Sequence, residues 1–394
     1  MKNNPTTKNK KHKIVKIIAI TCAIVIGLPL LTAVSYLSYV IFSYHRIGDT
    51  ELSVKNVGNA KEKIDTEDTL TLTSYNIGFG AYSPEYTFFM DTGYDQDGKP
   101  TAGKYGKGIS KEDVQKNTDG SVSTLKSLQS DFYAVQEVDL DADRSYHIDQ
   151  SAPLNQLYSD MDTTFAINFD SAYLFYPLND PHGKSKAGLE TISKYKITES
   201  NRKQYTISTG FSKFFDLDRC FSVNRIQVNN GKEFVLINSH MSAYDEGGVI
   251  RNTQIHELHS FMKSETEKGN YVIAAGDFNH DLLTNNPDYP QYTSENFAYK
   301  DRTNQKKSDW LSFMFDENKK SLFDDGFKVY AADNEPSCRD CDVIWTPGST
   351  FVSTVDGFVV SDNIEVKSVK TTKVGENGYA YSDHQPTTLE FLLK

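Results

Sequence analysis

The chain is 394 residues long, has a formal net charge of −11 and carries 23 Tyr and 23 Phe. That aromatic content allows one large core, and the sequence is not repetitive and has no long low-complexity tract beyond its basic N-terminus. The first 46 residues hold seven Lys and Arg and no acid, leaving 35 basic against 53 acidic residues, a formal charge of −18. A domain so acidic argues against a general basic stripe for long duplex nucleic acid, although Lys184, Lys186, Lys194, Arg202 and Lys203 could form a local patch.

At the N-terminus Lys2, Lys8, Lys10, Lys11, Lys13 and Lys16 precede an uncharged run over residues 17–44. The run exceeds the roughly 20 residues a helix needs to cross a bilayer, and Pro29 would kink it or be accommodated within it. Cleaved signal peptides have shorter apolar cores, whereas bulky residues continue here through Leu37, Tyr39, Ile41 and Phe42. Thr21 before Cys22 makes a poor lipidation signal. The positive-inside rule puts the lysines in the cytoplasm. The expected organisation is therefore a basic cytoplasmic tail over 1–16 and a single-pass signal anchor in the cell membrane over 17–44. A polar linker over 45–67 and a catalytic domain over 68–394, outside the cell, follow.

Periodicity then predicts a strand over 69–77, an insertion over 82–119 and a helix over 121–130. A strand over 132–138, a helix over 153–161 and strands over 164–169, 188–197, 219–229 and 233–240 come next. A helix over 248–268, with Ile250, Gln254, Leu258 and Phe261 along one face, leads into a strand over 271–276. After a loop-rich stretch, strands are expected over 351–361, 365–373 and 386–393. The fold class is α/β: strands interleaved with helices and hairpins suit two packed β-sheets flanked by helices, a four-layered sandwich.

Several of these strands end in chemistry. The run Tyr271-Val-Ile-Ala-Ala-Gly-Asp-Phe-Asn-His280 delivers Asp277 and Asn279 two residues apart at a strand end, on one face of an extended backbone. Asn76 closes Leu70-Thr-Leu-Thr-Ser-Tyr-Asn, Glu137 follows Tyr-Ala-Val-Gln, and His240 follows Leu-Ile-Asn-Ser. Asp356 lies in Thr-Val-Asp-Gly, and Ser382-Asp383-His384 stands near the C-terminus. In this order and with these neighbours, residues 65–394 resemble the endonuclease/exonuclease/phosphatase superfamily. That superfamily includes pancreatic-type deoxyribonucleases, abasic-site endonucleases, inositol polyphosphate 5-phosphatases and neutral sphingomyelinases.

The resemblance implies a division of labour. Glu137 would be the main carboxylate ligand of a divalent metal, with Asn76 and Asp383 in the same site. Asp277 would orient or deprotonate the attacking water, and Asn279 would steady nucleophile or phosphate. His384 would stand at the scissile phosphate, paired with Asp356, and His240 would donate to a non-bridging oxygen. Arg219, in Asp-Leu-Asp-Arg-Cys, would bind phosphate. Elementary chemistry asks for the same parts: charge neutralisation on the oxygens, an activated water and help for the leaving group. Oxygen-rich ligands favour Mg²⁺ or Mn²⁺ as cofactor.

Other features carry less. Asp91-Thr-Gly-Tyr-Asp-Gln-Asp-Gly98 fails as a calcium loop, because Gly93 and Ala102 stand where ligands are needed. Cys338-Arg-Asp-Cys341 has no second pair to complete a zinc site; a local disulfide, or one involving Cys220, stays open. The aromatic stretch 211–215 reads as packing. The expected function is a membrane-anchored, divalent-metal-dependent phosphoesterase that cleaves P–O bonds by direct attack of water. Its partner would be a nucleic acid, a phospholipid head group or a small phosphate ester; no protein partner is inferable. Alternatives are an extracellular nuclease, a sphingomyelinase-like phospholipid phosphodiesterase, or a non-catalytic binding module of the same fold.

Overall fold

The apolar N-terminal run forms one helix, α1 (Pro5–Ser43), with Pro29 inside it. Its 32 residues His12–Ser43 are long and apolar enough to cross a membrane. In this computed structural model the described residues are 5–55, 58, 60–95, 97–214, 216–243, 248–294, 311–323 and 326–394. Residues 1–4 of the basic tail and Phe215 of the aromatic stretch lie outside them. Contacts divide the chain into two units, Met1–His45 and Arg46–Lys394.

The second unit contains, in chain order, β1 (Thr50–Glu51), β2 (Val54–Lys55), β3 (Leu70–Asn76), β4 (Phe132–Ala142), β5 (Asp162–Asp170), β6 (Ser185–Ser193) and β7 (Ile197–Gln204). There follow β8 (Cys220–Gln227), β9 (Glu233–His240), β10 (Tyr271–Asp277), β11 (Phe327–Tyr330), β12 (Asp356–Ser361), β13 (Ile364–Thr371) and β14 (Thr387–Leu393). Helices α2 (Lys111–Leu128), α3 (Ser151–Leu157) and α4 (Val249–Thr266) lie between them. One sheet has the order β13-β14-β3-β4-β6-β5-β2 and the other β1-β7-β8-β9-β10-β12-β11. The sheets are antiparallel except for one pair in each: β3 runs parallel to β4, and β9 to β10. Parallel neighbours end on the same edge. Asn76 therefore faces Gln136 in register, and His240 faces Asp277.

The expected sandwich is the observed one. Leu70, Leu72, Phe132 and Ala134 of one sheet pack against Phe234, Leu236, Ile273 and Phe358 of the other. On the outer faces, Leu125 of α2 and Leu154 of α3 cover Tyr75, Tyr133 and Val135. Ile255, Leu258 and Met262 of α4 cover Val235, Ile237, Val272 and Ala274.

Where the elements depart from the expected bounds, local chemistry explains it. Helix α2 starts ten residues earlier than predicted because Ser110 caps it, accepting from the Asp113 amide at 3.1 Å, with Glu112 and Asp113 in its first turn. The buried face of α4 is turned: Arg251, Gln254, Ile255, Leu258, Met262 and Glu265 are buried, while Ile250 and Phe261 are half-buried. The predicted strand over 188–197 is two strands, and β7 shows no alternation in the sequence because its buried positions Ser200 and Arg202 are as polar as its outward Glu199, Asn201 and Lys203. The stretch read as a linker also belongs partly to the fold. β1 pairs with β7 and β2 with β5, each adding an edge, and Arg46 forms an ion pair with Asp218 at 2.6 Å.

Candidate active site

The two parallel pairs deliver their last residues to one place. Asn76 is buried; its Nδ2 donates to Glu137 Oε1 and to Asp277 Oδ2, both at 3.2 Å, and so ties the two sheets. Its Oδ1 accepts from the Gly78 amide at 3.0 Å. Gly78 has φ +53, and a Cβ there would stand 2.9 Å from Asp383 Oδ1, so glycine keeps room beside that carboxylate. Below this layer Gln136 Nε2 donates to Asn238 Oδ1 at 2.8 Å, a second buried tie between the sheets. The residues flanking the catalytic candidates in Gln136-Glu137 and Asn238-Ser-His240 are thus structural props.

Glu137 sits at an irregularity of β4, where the register with β6 shifts between Val135 and Val138, and its φ is 55°. The bulge aims its carboxylate out of the ladder. Burial first, and the charge of Asp383 second, raise its carboxyl above the usual range, while Arg144 opposes them.

Asp277 ends β10 directly after Gly276, whose φ is +153 and whose Cβ, if present, would lie 1.9 Å from the Ser239 carbonyl oxygen. Only glycine fits that approach. Asp277 Oδ1 accepts from the Asn279 amide at 2.9 Å. Its Oδ2 lies 3.5 Å from His240 Nε2 and 3.7 Å from His384 Nε2. Burial raises the Asp277 carboxyl strongly; the His384 charge opposes this and Asp356 adds to it. Asn279 adopts φ 51°, a conformation asparagine tolerates. Its Nδ2 donates to the Met241 carbonyl at 2.9 Å, and its own carbonyl accepts from Arg251 Nη1 at 2.8 Å.

His384 Nδ1 meets Asp356 Oδ2 at 2.7 Å. Burial opposes the imidazolium, but Asp356, with Cys338, Asp383 and Asp277, raises the His384 pKa well above its ordinary value. Asp277, Asp356 and His384 each offer one ligand atom within 4.8 Å of the others. Because Nδ1 is held by Asp356, the three form a line along which a proton can be held.

His240 differs. Its Nε2 lies 2.8 Å from Arg219 Nη1. A guanidinium only donates, so Nε2 accepts and the ring is neutral, with its proton assigned to Nδ1. Burial, Arg219 and His384 all lower its pKa well below the ordinary value. The expected donation from His240 Nε2 to a phosphate is therefore not available in this arrangement; the neighbouring N–H groups belong to Arg219, which also reaches Asp216 at 3.4 Å.

The residues expected from sequence thus converge, and three more join them. Arg144 binds Asp139 through Nη2–Oδ1 at 2.7 Å and lies over the Phe79 ring at 3.9 Å. Cys338 Sγ lies 3.6 Å from His384 Nε2, and Cys341 Sγ lies 3.7 Å from Asp383 Oδ2. All four cysteines are free thiols, so the local disulfide left open above is absent. Arg144 had one signal in the sequence, a lone base after Asp139, Asp141 and Asp143. The thiols had none, because their proximity to the site is a matter of tertiary packing.

The donor set suits a hard divalent cation. Glu137 and Asp383 stand close enough for the charge of one to raise the carboxyl of the other, and a cation between them would relieve that repulsion.

The fold is a paired-sheet α/β sandwich with a buried carboxylate–histidine cluster at the ends of its parallel strands, an arrangement consistent with hydrolysis of phosphoester bonds. A sequence model of "Endonuclease/Exonuclease/phosphatase family 2" matches residues 126–390, and the chain belongs to that family. Similar solved structures include an endonuclease/exonuclease/phosphatase from Beutenbergia cavernae DSM 12333, 13% identical over 82% of this chain and 72% of that one, TM-score 0.49. The human Nocturnin catalytic domain is 14% identical over 87% and 97%, TM-score 0.48, and ANGEL2, a 2',3'-cyclic phosphatase, is 14% identical over 87% and 99%, TM-score 0.49. No curated protein sequence matches the chain.

Proposed function

We propose that this protein is a divalent-metal-dependent phosphoesterase whose catalytic unit works outside the cell, tethered by α1. The observation that carries the reading is the Asp356–His384–Asp277 line facing Glu137 and Asp383 at the ends of two parallel strand pairs. Glu137 and Asp383, with Asn76 turned to present its oxygen, would hold Mg²⁺ or Mn²⁺. When bound, the ion supplies charge neutralisation on phosphate oxygens. Asp277 accepts the proton of the attacking water, and the Asn279 amide steadies it. The imidazolium of His384, held by Asp356, donates to a phosphoryl oxygen as negative charge builds there. Arg219 binds a second oxygen, with neutral His240 fixing the guanidinium.

Hydrolysis is tested with plasmid DNA, RNA, sphingomyelin vesicles and inositol phosphates, with and without EDTA. At least one substrate should be cleaved, and EDTA should abolish cleavage. Glu137→Ala and His384→Ala should each lower turnover by about 10²–10⁴-fold with the circular dichroism spectrum unchanged. Full activity in both variants would remove this site from the reaction. A binding module without chemistry would cleave nothing in the panel.

For topology, the proposed scheme keeps a cytoplasmic tail over 1–16 and a membrane anchor over 17–44. The 45–67 stretch is then a short tether at His45 followed by strands of the catalytic unit. Protease added to intact cells should release a soluble fragment beginning near His45. Protection until lysis would put the domain in the cytoplasm.

A further inference from the structure

Among the described residues, eight large apolar side chains outside α1 are exposed, and six of them come from two segments. The 82–119 insertion contributes Met90, Tyr94 and Ile109. The loop between β5 and β6 contributes the rest: Phe175 is 51%, Tyr176 67% and Leu178 83% exposed. The two segments brace each other. The Phe89 and Tyr176 rings are 5.5 Å apart, the Gly106 amide donates to Asp180 Oδ2 at 3.1 Å, and His182 Nδ1 meets the Gly106 carbonyl at 2.6 Å. Within the loop the Leu174 amide donates to the Gly183 carbonyl at 3.1 Å, and the Gly183 amide to the Leu174 carbonyl at 3.0 Å. A braced loop that holds neighbouring apolar side chains out in solvent marks an interaction surface.

Its place in the second unit says what covers it. Leu174 packs with Phe169, Ala187 and Leu217. Beside Leu217 stands Asp218, which pairs with Arg46 at 2.6 Å and accepts from the Ile47 amide at 3.2 Å. Next along the chain, Arg219 reaches His240 at the site. The apolar loop, the point where the chain enters the unit and one flank of the site are therefore neighbours, all at the end of the sandwich where Cys220 pairs with His240. Arg46 is the first residue of this unit, and α1 ends at Ser43. Three residues of extended chain reach about 10 Å. With α1 in a bilayer, so short a tether keeps the surroundings of Arg46 near the lipid surface, and the loop belongs to those surroundings.

We infer that Phe175, Tyr176 and Leu178, with Phe89 and Met90 beside them, form a membrane-contacting rim that enters the interface of the bilayer α1 spans. The rim is a second contact with lipid, and it turns the catalytic end of the unit toward the membrane. Tyr176 suits the head-group level, where a ring can be buried while its hydroxyl stays wet, and Leu178 at the loop tip suits the acyl chains. So few side chains would hold a free protein only weakly. Tethering makes the contact intramolecular, at an effective concentration on the order of millimolar, so weak contacts suffice. The rim rests on the proposed reading of α1 as an anchor; it holds for either side of the membrane and does not depend on hydrolysis.

The test uses the full chain in phosphatidylcholine nanodiscs that contain a phospholipid with a diazirine in its acyl chain. After photolysis, labelled peptides are mapped by mass spectrometry. Label is expected on α1, on 171–184 and on 88–92. It should be absent from the turn 228–232, which joins β8 to β9 at the end of the sandwich away from the site. F175S/L178D changes two exposed positions, so thermal unfolding should stay as in the parent. That variant should lose the label on 171–184 and also on 88–92, whose sequence is unaltered, while α1 keeps its label. Label on 88–92 that persists undiminished in the variant, or equal label on 228–232 in the parent, overturns the rim. A labelled α1 with an unlabelled loop overturns the rim alone; if chemical cross-links then join 171–184 of two chains in one disc, the loop is a contact between copies instead. An unlabelled α1 overturns the anchor, and the rim with it.

Discussion

His384 in the carboxylate–histidine cluster and His182 beside the aromatic insertion are both buried imidazoles, yet their surroundings drive them in opposite directions. Asp356 Oδ2, Asp277 Oδ2 and Asp383 Oδ2 stand 2.7, 3.7 and 4.0 Å from His384 ring nitrogens. His182 instead lies edge-on to Phe79 and Phe88, with ring centroids 6.3 and 6.1 Å away, and has the Gly106 carbonyl 2.6 Å from Nδ1. Burial disfavours the cation in both. In His384 the carboxylates outweigh it and the pKa rises; in His182 the Arg144 charge adds to it, and the pKa falls to about 3. Burial alone therefore says little about a histidine's charge, and the sign is set by the charges packed around it. Arg144 belongs to both regions, because it also lowers the Glu137 carboxyl and the His240 pKa.

Removing Arg144 should have the largest effect. Arg144→Met leaves Asp139, fully buried, without its cation and should cost about 3–5 kcal/mol in urea unfolding. The double variant with Asp139→Asn should recover part of that loss. Without the guanidinium, the Glu137 carboxyl should rise further, so metal binding measured by calorimetry should weaken more steeply as pH falls. An Arg144→Met protein as stable as the parent, with an unchanged metal titration, would break the link between the two regions.

The sequence made the sandwich legible because strand-end residues and apolar runs are local signals. Asn76, His240 and Asp277 could be singled out because each ends a strand, Asp356 because it opens one, and Glu137 and His384 because they stand in Gln-Glu-Val and Ser-Asp-His beside apolar runs. What escaped notice depends on contacts distant in sequence or on backbone detail. The edge strands β1 and β2 are only two residues long, too short for a period to show. β7 is an ion-paired, polar strand. The bulge at Glu137 leaves no mark on an alternating pattern that already reads as a strand. Arg144, Cys338 and Cys341 become site neighbours only when 136–145, 338–341 and 382–384 meet in space. The tautomer of His240 likewise follows from Arg219 being 2.8 Å away.

A smaller effect should appear at His182. In the unfolded chain its ring takes a proton near the ordinary value of about 6.5. The folded state refuses that proton until about pH 3. Below pH 6.5 the unfolded state thus binds more protons, and stability is lost as pH decreases, at up to about 1.4 kcal/mol per unit. His384 contributes the opposite slope: its raised pKa gives stability that is present below pH 6.5 and is lost as pH rises through the folded value. His182→Phe should flatten the loss between pH 6.5 and 4.5 in thermal or urea unfolding, a difference of about 2–3 kcal/mol across that interval. An acid slope identical in parent and variant would mean that His182 does not carry the proton-linked loss.

The finest test of the comparison is Asp356→Asn, which removes a charge beside His384 and keeps the shape. In the proposed mechanism Asp277 must be ionised to accept a proton from water, and His384 must be charged to donate one, so activity should occupy a window between their two titrations. On the alkaline side, losing the Asp356 charge lowers the His384 pKa, and the falling limb should move to lower pH by about one to three units. On the acid side, Asp277 loses a like charge that had helped to raise its carboxyl, so the rising limb should also move to lower pH. Both limbs shift in the same direction. A variant that merely loosened the site would lower the plateau and leave the limbs in place. The measurement is kcat/KM across pH at saturating metal, for parent and variant on the same substrate. Limbs that stay fixed, or that move apart, would show that Asp356 does not set the charge of His384, and the contrast with His182 would then rest on burial and Arg144 alone.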